Sequence, residues 1–424
     1  MNTEPTSVSP KVEEQINSKI ELDAVGPSQQ TRRLPRVHSL DAVRAIAMLI
    51  GLPGHAALTF YTQWSGIVDQ SATAATHQVM PVFFELFHCF RMKLFFMMAG
   101  MFAYLLQERG QCCYLKNRLL RVGIPLVAGV VIALPLIETM KGFGRARTLA
   151  PSASIPWKVG IPRFESLEYW SQLAPHYLWF LQYLIIYSLA FLIIHRLVGS
   201  IGGNRRLHSA VDTCFARLCR SRLLAVILMF PTLGVQLLTD GALFMNESQT
   251  FIPTWTNLLA HSMFFGFGWM LFRHLDRLHD IAKHWQFHYG VGLFVFLLTV
   301  GWPELWCPAS QAFLAWTFSF SLLGFMVKHA SGSSRVLRYL ADSSYWLYLA
   351  HVPLLMYIQV SWAHWLLPWW LKFPLLNCVL LMILLLSYDL LIRGTWVGFV
   401  LNGKRHPTLL GGFVKQKKRD RQKK

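Results

Sequence analysis

Apolar residues along this chain come in long runs separated by short polar stretches, without the two-residue alternation of a half-buried strand. Ten runs can be marked: Leu40 to Phe60, Pro81 to Leu106, Val122 to Ile137, Tyr177 to Val198, Leu223 to Leu238, Trp255 to Leu271, Phe287 to Gly301, Ala309 to Val327, Tyr345 to Leu367 and Leu371 to Ile392. A hydrocarbon core about 30 Å thick asks for roughly 20 residues of helix, so most of these runs are long enough to cross it. The expected fold is all-α, a polytopic integral membrane protein with about ten transmembrane helices, the fifth and seventh among the short ones.

The spaces between the runs set the orientation. Those after the second, fourth, sixth and eighth runs hold Arg109, Lys116, Arg118 and Arg121, then Arg205, Arg206, Arg217, Arg220 and Arg222, then Arg273, Arg277 and Lys283, then Lys328, Arg335 and Arg338. Those after the first, fifth, seventh and ninth hold Asp69, Asp240, Glu247 and Glu304, with essentially no Lys or Arg. Cytosolic loops carry the positive charge, so both termini are expected in the cytosol. Only the segment from Lys141 to His176 is mixed. The expected organisation is a disordered polar tail over 1–37, a transmembrane domain over 38–400 and a basic cytosolic tail over 401–424.

With 54% hydrophobic and 14% charged residues, composition agrees with this class. The net charge of +19 would suggest nucleic acid in a soluble protein. Here the cations lie between apolar runs, so the partner is the lipid bilayer and no nucleic acid is expected. The 7 Cys are scattered without metal or disulfide spacing. His284 and His288 stand four apart but lack a third ligand, so no metal is expected. The sequon Asn246-Glu-Ser has meaning only in a eukaryotic secretory pathway.

Candidate chemistry comes from polar residues inside the runs, where an ionisable group is costly and marks a site. Arg44 and His55 are eleven residues apart, which puts them on nearly the same helix face, about 16 Å apart. His88 and Arg91 share a face of the second run. His176, Trp179 and Gln182 open the fourth, while Asp342, Ser343, Ser344 and Tyr345 lie at the inner end of the ninth, with His351 deeper.

The pattern Asp41, Arg44, ten intervening residues and His55 resembles the signature of the acyltransferase family 3 membrane proteins. Together LDAVRAIAMLIGLPGHAALTF, FHCFRMKLFFMMAGMFAYLL, RLLRVGIPLV, PHYLWFL, ADSSYWLYLAHVPL and LNGKRHP are similar to its glucan biosynthesis protein C branch, the succinyltransferases of osmoregulated periplasmic glucans. The likeness covers His38 to about Pro407. Met97-Met98-Ala99-Gly100 departs from it, since the family usually has Ser before this Gly. The resemblance implies a bacterial inner-membrane acyltransferase that takes acyl-CoA, succinyl-CoA in this branch, as donor. Its acceptor would be a periplasmic glucan, with a glucan synthase as a candidate partner.

Acyl transfer to a sugar hydroxyl needs a base, an oxyanion donor and grips on an anionic cofactor. His55 is assigned as general base, with a transient acyl carrier as its alternative role, and Arg91 as donor to the oxyanion or to a succinyl carboxylate. Arg44 would meet the pantetheine or phosphates of CoA. Asp41, His88, His176, Trp179, Asp342, Ser343, Tyr345 and His351 are expected to bind substrate or orient their neighbours. Two other readings stay open: an O-acetyltransferase of another envelope polysaccharide, and a transporter or flippase using the same buried Arg and His residues. No internal repeat of the kind many transporters show is visible.

Overall fold

The structure, a computed structural model, describes residues 37–108, 110–150, 157–162, 174–200, 205–238 and 250–407. Both expected tails, up to residue 36 and from residue 408, lie outside the described residues, as do Asp240, Glu247 and the Asn246-Glu-Ser sequon. Among the described residues there are helices and no strand.

The first apolar run is two helices, α1 (His38–Leu49) and α2 (Gly51–Ala57), with a 3-10 turn over Leu58–Phe60. Pro53 explains the break within the single helix that the pattern predicts: it has no N–H for the Leu49 carbonyl. His55 therefore sits just beyond a kink. Next, α3 (Ala74–Gln107) starts ahead of the second run because Thr73 and Thr76 cap it reciprocally, with backbone-to-hydroxyl distances of 2.8 and 3.4 Å.

The third run belongs to a longer helical stretch of α4 (Gln111–Arg118), α5 (Ile124–Ala128) and α6 (Leu134–Leu149), joined by π turns at Leu119–Gly123 and Gly129–Ala133. Pro125 and Pro135 cannot serve the carbonyls of Arg121 and Val131, and the widened turns lie over those two residues. Glu138, Lys141, Arg145 and Arg147 are consequently on helix α6, where the apolar pattern alone suggests a loop. After a 3-10 turn at His176–Leu178 come α7 (Trp179–Ser200), α8 (Arg205–Arg220) and α9 (Leu224–Leu237). A 119° bend separates α8 from α9, and α8 occupies what reads in sequence as a cytosolic loop.

The remaining helices are α10 (Trp255–Arg273), α11 (Leu278–Lys283), α12 (Trp285–Gly301), α13 (Pro308–His329), α14 (Arg335–Trp362), α15 (Trp369–Ser387) and α16 (Trp396–Asn402). Every predicted run is helical, but the number of helices long and apolar enough to cross a membrane is smaller than ten. Six qualify among the described residues, namely His38–Phe60, Ala74–Gln107, Gln111–Leu149, His176–Ile194, Pro308–His329 and Trp369–Ile392, and the bent α8–α9 pair makes up to seven. At 17 residues α12 is too short. Both α10 and α14 are long enough but too polar, carrying Asn257 and His261 in one case and Arg338, Asp342 and His351 in the other. The chain is thus a polytopic membrane protein, and the two long helices that fall short in apolarity carry the buried His261 and His351.

Close backbone approach ties the bundle together. A Cβ on Gly100 of α3 would overlap the Phe265 carbonyl of α10, and one on Gly268 would overlap the Met97 carbonyl, so small residues set this crossing. At one end, the segment after α2 is seated on α6. There Gly66, with φ +84°, lies against the Lys141 carbonyl, and Thr148 Oγ1 donates to the Gly66 carbonyl at 3.4 Å. Asp69 of the same segment pairs with Lys372 at 2.7 Å, their side chains 2% and 0% exposed. At the opposite end Arg44 donates to the Ala341 carbonyl at 2.7 Å, and His406 lies 3.9 Å from Asp342. Gly403, with φ +70°, closes α16 where a Cβ would overlap the Arg121 guanidinium. The start of α1, the start of α14 and residues 402–407 therefore share one end of the bundle. Residues 401–407, assigned by sequence to the tail, are part of the packed structure.

Candidate active site

A cavity of about 950 Å³ runs through the helices between those two ends. Its wall includes Arg44, Asn117, Arg118, Arg121 and Asn402 at one end, His55, His88, Arg91 and His351 further in, and Trp64 and His176 towards the other. The wall carries four guanidinium groups and, among the described residues, no carboxylate. Such a lining attracts an anionic ligand.

Helix phase explains who reaches the wall. On α14 the lining residues are Ala341, Ser344, Tyr345, Tyr348, His351, Val352 and Met356, a stripe at three- and four-residue spacing. Asp342 and Ser343 fall off that stripe. Ser343 turns its hydroxyl back to the Leu340 carbonyl at 3.0 Å, while Asp342 lies beside His406. A start at Arg335, fixed by the Ser334 side chain accepting from Leu337 N–H at 3.3 Å, puts all four of Asp342 to Tyr345 well inside the helix rather than at its end. From Ala341, beside Arg44, to His351 is about 15 Å along this axis. Asp41 is also off the wall, 3.7 Å from Arg44.

At the centre, Arg91 Nη2 lies 3.2 Å from His55 Nε2. A guanidinium only donates, so Nε2 accepts and the ring proton of His55 resides on Nδ1. His351 has the opposite arrangement. Its Nδ1–H donates to the carbonyls of Leu347 and Tyr348 at 3.0 and 2.8 Å, leaving Nε2 as the acceptor. The two rings are 5.3 Å apart, and His55 Nδ1 and His351 Nε2 are both buried without a hydrogen-bond partner among the described residues. One imidazole thus offers a spare donor and the other a spare acceptor. Buried, unmet polar atoms of this kind mark a site awaiting a polar ligand.

Neighbours hold this pair in place. Trp64 stacks on His55 with centroids 5.7 Å apart and planes at 17°. Two tyrosines tie the turn before α7 to α14: Tyr177 OH donates to the Leu349 carbonyl and Tyr348 OH to the Tyr177 carbonyl, each at 2.6 Å. Gly51 leaves the space that the Arg91 guanidinium fills, since a Cβ there would overlap Nη1. Tyr345 OH donates to the Arg121 carbonyl, joining α14 to the π turn that carries Arg121. Ala99 lines the cavity, and its carbonyl accepts from Arg118 at 3.5 Å.

Of the residues singled out by sequence, Arg44, His55, His88, Arg91, His176, Trp179, Ser344, Tyr345 and His351 line this one cavity. His88 stacks on Phe84 at 4.6 Å, and Trp179 is packed among Phe96, Tyr183 and His261. Sequence reasoning treated Arg118 and Arg121 as orienting charges only. Their three-residue spacing at the border of an apolar run is the signal that could have placed them on the wall. Trp64 carried no such signal among 16 Trp.

Comparison with known proteins adds three findings. A family model described as an acyltransferase domain matches residues 37–392. The proteins named glucans biosynthesis protein C from Salmonella typhi and Salmonella typhimurium are each 25% identical over 347 residues, covering 76% of this chain and 83% of theirs. No solved structure matches the chain.

Proposed function

The chain belongs to the acyltransferase domain family, and we propose that it transfers succinyl from cytosolic succinyl-CoA to hydroxyls of an osmoregulated periplasmic glucan, as a multi-pass protein of the bacterial inner membrane. In this reading all ten helical runs are membrane-embedded and both termini are cytosolic, which makes the Arg44, Arg118 and Arg121 end of the cavity the donor side. Glucan as acceptor rests on the name of those relatives. Succinyl as the acyl group rests on the resemblance to that branch, and a wall with four guanidinium groups and, among the described residues, no carboxylate is compatible with its carboxylate.

The observation that carries the reading is the 3.2 Å contact between Arg91 and His55 Nε2 inside that cavity. The acceptor hydroxyl takes the place of the Arg91 N–H at Nε2, which frees the guanidinium for the acyl oxygen. His55 then accepts the hydroxyl proton while the sugar oxygen bonds to the acyl carbon. Arg91 meets the oxyanion, the carbon–sulfur bond breaks, and the proton passes to the departing thiolate. Arg44, Arg118 and Arg121 hold the anionic part of the donor at the cytosolic end.

The test is the charge and mass of glucan from cells lacking the protein, complemented with the natural chain or with His55→Ala at matched membrane levels. Succinylated glucan with the natural chain and unmodified glucan with His55→Ala are expected. Acetylated glucan would keep the chemistry and change the donor, while neutral, unmodified glucan in every strain would overturn the assignment.

A further inference from the structure

At the end of the cavity away from Arg44, Arg118 and Arg121, a second polar group is built around His176. Its Nε2 is 2.9 Å from Glu138 Oε1, and Lys141 Nζ reaches the same carboxylate oxygen at 2.9 Å. A carboxylate accepts, so Nε2 carries a ring proton, and of the two neutral tautomers the contact selects the one whose acceptor is Nδ1. The 3.3 Å separation of Lys141 Nζ and His176 Nε2 is then two donors converging on one acceptor. His176 lines the cavity, whereas Glu138 and Lys141 stand behind it. Among the described residues His176 is the one non-glycine with positive φ, +41°, an unfavourable backbone state that is kept where the surroundings impose it.

Trp64 belongs to the same end. Two residues beyond it, Gly66 is pressed onto the Lys141 carbonyl, so the segment carrying Trp64 is docked on the helix that carries Glu138 and Lys141. Trp64 is half-buried, lines the cavity and stacks on His55. An indole face and an imidazole acceptor on the wall of one cavity are the combination a sugar ring needs: an apolar platform for its C–H face and an acceptor for a hydroxyl.

We propose that Trp64 and His176 form the carbohydrate-acceptor subsite, with Glu138 as the positioning residue that fixes the His176 tautomer. This rests on the glycan-acylation reading, and it places the sugar next to the proposed base. The probe is a short glucose oligosaccharide, titrated by calorimetry into the full chain in lipid nanodiscs, with succinyl-CoA titrated separately. His176→Gln and Trp64→Leu are expected to weaken oligosaccharide binding about tenfold or more, the scale of one lost buried hydrogen bond or ring contact. Trp64→Phe retains most of the affinity. Glu138→Gln raises the acceptor KM more than it lowers kcat, and none of these variants alters the succinyl-CoA Kd. Unchanged oligosaccharide binding in both His176→Gln and Trp64→Leu would overturn the subsite, as would a parallel loss of succinyl-CoA binding or a natural chain that binds no oligosaccharide. Oligosaccharide binding without succinyl transfer would overturn the proposed function and leave the subsite standing.

Discussion

Gly51→Ala isolates the position of Arg91 from its chemistry. The added methyl falls on Nη1 of the Arg91 guanidinium, the far end of a flexible side chain, so the backbone can stay and the guanidinium must leave. Gly51 is the first residue of α2, where Ala is the better helix former by up to about 1 kcal/mol. Against that gain stands the lost charged hydrogen bond to His55, of the order of 1.5–3 kcal/mol. Net destabilisation should therefore be small, a kcal/mol or two at most by these magnitudes. Activity is a different matter, because a displaced oxyanion donor costs roughly 10²- to 10³-fold in kcat. The assay is succinyl transfer to glucan in isolated membranes, with protein level and thermal unfolding measured alongside. Gly54→Ala is the control, since a Cβ there meets nothing within 4 Å. Natural turnover in Gly51→Ala would refute the argument that Arg91 must stand beside His55.

Three further outcomes follow from the packing and the charges. Lys372→Met leaves Asp69 buried beside an apolar side chain and is expected to destabilise by about 3–5 kcal/mol, with Lys372→Met/Asp69→Leu recovering much of the loss in thermal unfolding. Gly268→Val drives a branched side chain into the Met97 carbonyl, and folded yield should collapse, since the overlap is with backbone that cannot swing aside. Arg121→Gln should raise the KM for acyl-CoA by about tenfold, the scale of one charge-assisted contact, while leaving the acceptor KM unchanged. An acceptor KM that rises instead would reverse the assignment of the two ends of the cavity.

Much of the site was legible in sequence because charge in an apolar run is conspicuous. Arg44, His55, Arg91 and His351 announce themselves against Leu, Phe and Met, and the structure gathers them around one cavity. What could not be read was helix phase near the ends of runs. Asp342 and Ser343 look equivalent to Ser344 and Tyr345 until the Ser334 cap fixes where α14 begins. Glu138 and Lys141 were hidden for a related reason. The helix continues past the apolar run to Leu149, and only that continuation brings them three apart on one turn behind His176. Trp64 depends on a non-helical segment whose course is set by Gly66 and the Asp69–Lys372 pair, contacts between residues far apart in the chain. The count of crossings is the fold feature least determined by pattern, because α10 and α14 give up apolarity to carry Asn257, His261 and His351.

The central claim is that one cavity takes donor from one side of the membrane and acceptor from the other, with His55 between them. The direct measurement uses sealed proteoliposomes of the purified full chain, with glucan enclosed and succinyl-labelled CoA added outside. Label on the enclosed glucan with the natural chain, and none with His55→Ala, is the predicted result. Label that appears only when donor and glucan share a compartment, or that persists in His55→Ala, would contradict the account.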